Sequence, residues 1–249
     1  LVAYDGRGHG ETQTDNDADL SLDRLARDAE TLVADMVEQH RAGHAGLPPK
    51  DIVLVGHSLG GAVVVEAAGR LARRTPPVRV LGVAVLDVVE GTAMASLDHM
   101  QQILTQRPAG FRTEAEALRW MTSSHLLGGS RNARLQRLML PAQLKPHPET
   151  GLLQWTSDLP RSSTYWAGWF TGLSAKFLQL GCAKLLVLAG TDRLDKELMI
   201  GQMQGKFQMV IYPDSGHNIQ EDVPDHLAED LVAFWQRNQP LDLRAIRKV

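Results

Sequence analysis

Cysteine is almost absent: the 249 residues hold one, Cys182, so no disulfide can close within the chain. That fits a reducing setting, and the expected location is cytoplasmic or nuclear. No uninterrupted apolar run approaches the roughly 18 to 20 residues that a membrane-spanning helix needs, and no signal peptide with a basic flank opens the chain. A soluble protein with no membrane partner is therefore expected. Positive charge is not in excess either. Lys and Arg number 26 against 29 Asp and Glu, and a net charge of −3 gives no electrostatic footprint for nucleic acid. Internal repeats and low-complexity tracts are missing, and 43% hydrophobic with 22% charged residues argues against a disordered or fibrous chain. What remains is a length able to bury one sizeable core.

Four short, nearly continuous apolar segments read as strands buried on both faces: residues 51–55, 78–86, 184–189 and 208–212. Helical patterns separate them. Over residues 22–37 the apolar positions Leu22, Leu25, Ala26, Ala29, Leu32, Val33, Met36 and Val37 follow one helix face, with Ser21 placed to cap it. A second helix is expected over 60–71 and a third over 224–236, with proline at its start. Strands alternating with helices imply βαβ units, hence an α/β fold with a mostly parallel sheet. Residues 95–165 break the rhythm with helical stretches at 96–104 and 114–124 and a loop-like stretch at 140–151. This insertion is read as a helical cap, which divides the chain into core 1–94, cap 95–165 and core 166–249. Trp120, Trp155, Trp166 and Trp169 fall in or just after the cap. They read first as packing of cap onto core and second as an aromatic wall facing a substrate.

The strongest local signal is Gly56-His-Ser-Leu-Gly60, followed by Gly61. A bare G-x-S-x-G pattern arises by chance in about one chain in ten of this length, so its context decides. It follows an apolar strand and precedes a small-residue helix, where the glycines let the backbone turn sharply and hold Ser58 above the sheet. A serine hydroxyl needs a base within hydrogen-bond reach. His217, in Asp214-Ser-Gly-His, lies just past the last strand and is the candidate, whereas His57 is expected to pack in the elbow. The orienting acid has two candidates that keep the order Ser, Asp, His. Asp87 ends the strand 78–86. Asp192 follows the strand 184–189, and spacing alone favours it.

Three further stretches are distinctive: Leu86-Asp-Val-Val-Glu-Gly-Thr-Ala-Met94, Tyr165-Trp-Ala-Gly-Trp-Phe-Thr-Gly-Leu-Ser174, and the long run from Gly190 to Met209. With the Ser58 motif and residues 216–224, they resemble the protein phosphatase methylesterase family, a branch of the α/β-hydrolase fold, over nearly the whole chain. The resemblance implies that Asp87 is the triad acid and that no metal or organic cofactor is required. It also implies that the backbone N–H of Leu59 is one oxyanion donor. The implied substrate and partner is the methylated carboxy-terminal leucine of the protein phosphatase 2A catalytic subunit, with the enzyme expected as a monomer. Met203, in Gln202-Met-Gln204, is the residue singled out for partner contact, against ordinary helix packing.

The sequence departs from that family in two places. The family's long charged cap insertion is replaced by the short loop 144–153. The family also carries three strands and an H-G-G-G-type loop before the position of Leu1, so the chain as given is expected to lack the first strands and the second oxyanion donor. The apolar segment Leu1-Val-Ala-Tyr4 is then read as the end of a strand. Losing one donor typically lowers the rate about 100-fold to 1,000-fold, so impaired activity is expected. Two competing readings share these residues: a generic small-molecule carboxylesterase or lipase-like hydrolase, and a catalytically silent protein that binds the phosphatase.

Overall fold

Strands that are apolar on both faces can be covered only if the connecting helices cross over the sheet on either side. The computed structural model, which describes residues 1–43, 52–123, 132–190 and 194–240, has that arrangement. Its elements begin with α1 (Leu22–Gly43), β1 (Ile52–His57), α2 (Leu59–Arg73) and β2 (Val80–Leu86). Next come α3 (Glu90–Ala95), α4 (Leu97–Thr105), β3 (Gly110–Phe111), α5 (Glu114–Ser123), α6 (Ala133–Gln143), β4 (Leu144–Pro146), β5 (Leu153–Trp155) and α7 (Leu159–Ser162). A 3-10 turn at Ser163–Tyr165 leads into α8 (Trp166–Phe170) and α9 (Leu173–Gln179). The chain then continues through β6 (Ala183–Leu188), α10 (Lys196–Met203), β7 (Gln208–Ile211), α11 (Ile219–Asp222) and α12 (Pro224–Arg237).

The main sheet is parallel throughout, in the order β1-β2-β6-β7. Period-two alternation sorts its side chains. Val83, Val85, Leu186 and Leu188 join the larger core with α1, α2, α8 and α9. Ala84, Leu86, Leu185 and Val187 face the other way, onto Ile219, Leu227 and Phe234. Gly82 makes room for the wholly buried Phe234 ring, because a Cβ there would stand 2.6 Å from its Cε1. Strand β1 is an edge of this sheet, and Val55 is 41% exposed.

Three expectations are corrected. Leu1 to Tyr4 form no strand, and Leu1, Val2 and Tyr4 are exposed. The stretch 140–151 is not a loop throughout: α6 runs through Pro141 to Gln143, and β4 then pairs with β5 in a small antiparallel sheet ordered β3-β5-β4. These strands span two or three residues each, too short for an alternating pattern to appear in sequence. The four tryptophans do not act as one set. Trp120 and Trp155 pack on Phe111 in a satellite cluster around the small sheet, whereas Trp166 and Trp169 are core residues that also line the main cavity. As expected, Ser21 caps α1, its Oγ accepting from Arg24 N at 3.4 Å. Asp51, Ser124 and Asp192 lie outside the described residues.

Candidate active site

Strand β1 ends one residue before Ser58 and α2 begins one residue after it, so the whole reversal falls on Ser58. Its backbone adopts φ 52°, ψ −120°, a conformation L-residues seldom take. The bend brings strand and helix into contact: a Cβ on Gly56 would lie 2.0 Å from the Gly60 carbonyl oxygen, and one on Gly61 would lie 2.7 Å from Val88 Cγ1. Gly60 itself faces open space, so the crowding falls on Gly56 and Gly61. Ser58 N donates to Leu86 O at 3.0 Å, which ties the bend to the end of β2. Leu59, as the first residue of α2, has a backbone N–H with no acceptor inside its own helix.

Asp87, directly after β2, is the other non-glycine residue with positive φ (48°) among the described residues. Its side chain is wholly buried, and a buried carboxylate needs partners. Oδ1 accepts from Ala189 N at 2.8 Å, and Oδ2 lies 2.7 Å from His217 Nδ1. Since a carboxylate only accepts, Nδ1 carries the proton and Nε2 keeps its lone pair. In the sheet β6 separates β2 from β7, so the bond exists because the loop after β7 reaches back past the end of β6 to Asp87.

That loop is held from two directions. Asp222 accepts from Gly216 N at 2.7 Å, and His57 Nε2 donates to the His217 carbonyl at 2.8 Å. The two imidazole rings lie 4.5 Å apart. Burial, followed by the neighbouring His217, pushes the His57 pKa down to about 4, so this ring is neutral at pH 7. His57 thus does more than fill the elbow: it links the serine turn to the histidine loop. Glu90 makes a similar long-range tie. It accepts from Gly172 N at 2.8 Å and Ser174 N at 3.1 Å, at the start of α9. Ser174 Oγ in turn donates to Asp195 Oδ2 at 2.5 Å, and Asp195 caps α10 through Leu198 N. The short segment after Asp87 is therefore anchored to two helices. Neither tie has a local sequence signature, because the partners are 82 and 160 residues away.

Ser58, Leu59, Asp87 and His217 all border one cavity of about 810 Å³, together with His9, His57 and His99. Met100, Ile103 and Leu104 of α4 and Trp166, Trp169 and Phe170 of α8 line it as well. Met203 is not part of it. That side chain ends α10 at 89% exposure. Among the described residues no group of three or more His, Cys, Asp or Glu is arranged to hold a metal ion, and no helix is long and apolar enough to cross a membrane.

The comparison with known proteins agrees with this architecture. Residues 1–230 match the model of the alpha/beta hydrolase family. Protein phosphatase methylesterase 1 of Yarrowia lipolytica is 45% identical over 242 residues, covering 97% of this chain and 55% of that protein. The protein of the same name from Schizosaccharomyces pombe is 41% identical over 243 residues, covering 98% of this chain and 67% of that one. The chain spans little more than half the length of most of the curated relatives it matches. Among solved structures, E-2-(acetamidomethylene)succinate hydrolase superposes with a TM-score of 0.71 at 18% identity, over 93% of this chain and 80% of that one. A marine microorganism esterase gives 0.61 at 16%, over 92% and 82%. At such identities these two speak for the fold alone. By family model and by sequence relatives, this chain belongs to the alpha/beta hydrolase family, on the branch of the protein phosphatase methylesterases.

Proposed function

We propose that the chain is a serine carboxylesterase that removes the methyl group from the esterified carboxy-terminal leucine of the protein phosphatase 2A catalytic subunit. The observation that carries the reading is the 2.7 Å contact between His217 Nδ1 and the buried Asp87 carboxylate, on the same cavity as a serine held in a strained turn. The relatives' name supplies the substrate class.

In this reading His217 Nε2 takes the proton of Ser58 as Oγ attacks the ester carbonyl, and Asp87 stabilises the imidazolium that forms. The Leu59 N–H donates to the oxyanion. His217 returns the proton to the departing methanol, then draws one from the water that cleaves the acyl-enzyme. Met203 is assigned to partner contact, on the ground that an 89% exposed methionine at a helix end has no packing role of its own. The protein acts as a monomer in the cytoplasm or nucleus. The test is methanol release from a methylated phosphatase tail peptide, run beside labelling by a fluorophosphonate probe. Ser58→Ala is expected to abolish both, and a variant keeping more than a tenth of either would remove Ser58 from the mechanism.

A further inference from the structure

The size of the cavity exceeds what a methyl ester's alcohol can use. The departing group is a single carbon, so a chamber of about 810 Å³ beside Ser58 can be filled only from the acyl side. That volume is in the upper part of the usual range for small-molecule sites, about 300–1,000 Å³. The wall that α4 and α8 contribute is apolar, although His9, His57, His99 and Asp158 line the cavity elsewhere. Trp166 Nε1 already donates to Ser162 Oγ at 2.8 Å and Trp169 Nε1 to Leu20 O at 2.7 Å, so both indoles offer only carbon to the cavity. Ile103 and Phe170 close the same wall. Among the described residues no lysine or arginine lines the cavity, and the carboxylates of Asp87 and Asp158 oppose an anionic ligand.

We infer that this cavity is an acyl chamber, and that methyl esters of unbranched, uncharged fatty acids of about eight carbons are substrates of the same serine. The inference rests on the proposed role of Ser58 and adds an acyl class to it. Ser58 Oγ bonds to the acyl carbon as the bond to methoxide oxygen breaks, and His217 passes the serine proton to that oxygen. Water then gives its oxygen to the acyl carbon and a proton, through His217, back to Ser58, releasing the free fatty acid.

The test uses the 249-residue chain and two isomers of equal hydrophobicity, methyl octanoate and heptyl acetate, which place the same carbons on opposite sides of the ester. Expected are a kcat/KM at least about tenfold higher for methyl octanoate, a rise of up to about fourfold per methylene from methyl acetate to methyl octanoate, and weak turnover of monomethyl suberate, whose far end carries a carboxylate. Ile103→Trp is expected to lower the octanoate-to-acetate ratio about tenfold, with probe labelling of Ser58 and the melting curve showing that the variant is folded. Equal rates on the two isomers, preference for heptyl acetate, or preference for the suberate ester overturns the chamber. If that happens while the phosphatase tail peptide still releases methanol, the proposed function stands without the inference. If octanoate is hydrolysed and the tail is not, the chamber stands and the phosphatase substrate falls. If Ser58→Ala retains octanoate turnover, the chamber falls along with the serine mechanism.

Discussion

Replacing Asp87 by asparagine exchanges one oxygen for an amide nitrogen and puts a definite question to the site. The wholly buried carboxylate accepts from Ala189 N and from His217 Nδ1. Asparagine offers a single acceptor. The Ala189 N–H is fixed in the backbone, so the amide oxygen stays with it and the amide nitrogen faces His217. Two N–H groups pointing at each other would cost about 1–3 kcal/mol, so the imidazole changes tautomer instead. Nδ1 becomes an acceptor, Nε2 takes the proton, and the lone pair needed by Ser58 is gone. The same exchange in a serine protease lowers kcat about 10⁴-fold, equivalent to about 5 kcal/mol in the barrier. We expect Asp87→Asn to lose about 10³- to 10⁴-fold in methanol release and in probe labelling while its melting curve moves little, since asparagine tolerates the left-handed backbone at φ 48°. Asp87→Ala should be less stable by about 2–4 kcal/mol, from an orphaned Ala189 N–H and a strained backbone together. Activity of the asparagine variant within tenfold of the parent, with an unchanged pH profile, would refute the tautomer argument and the role given to Asp87.

Gly61→Ala should destabilise by about 1–3 kcal/mol, because its Cβ would stand 2.7 Å from Val88 Cγ1, whereas Gly60→Ala, in open space, should be neutral or stabilise by up to about 1 kcal/mol; thermal melts of the pair check this. Glu90→Ala should cost about 1–2 kcal/mol by leaving the start of α9 uncapped, and should slow probe labelling; Glu90→Gln should recover part of both, and no difference between the two variants would discount the anchor. His57 has a folded pKa of about 4 against an ordinary 6.5, so its neutral form is favoured by folding. That stability is fully present above pH 6.5 and is lost as the pH falls towards 4, on the order of 2 kcal/mol allowing for partial exposure. The parent should therefore lose more stability than His57→Gln between pH 7 and pH 4.5, and parallel melting profiles would contradict the shift.

The elements most legible in sequence were those whose physics is local. Nearly continuous apolar runs gave β2 and β6, the 3.6-residue pattern with Ser21 gave α1, and glycines around Ser58 marked a bend that backbone sterics require. The limits appeared where contacts are long-range or elements short. Spacing favoured Asp192 as the acid, and only the family resemblance turned the choice to Asp87. In the structure Asp87 is hydrogen-bonded to His217, because the loop after β7 reaches back past the end of β6 to the end of β2.

What the amino-acid order determined by itself was therefore the class of fold, the strained serine turn and the set of residues able to carry the chemistry, since each depends on neighbours a few positions away. The tertiary structure decided which acid meets the imidazole, that His57 holds the loop of His217, that Glu90 anchors the segment after Asp87, and that α4 and α8 line the cavity beside Ser58. These depend on strand order and helix packing, which bring together side chains 82 to 160 residues apart. No window along the chain contains both partners, so no local pattern can record them.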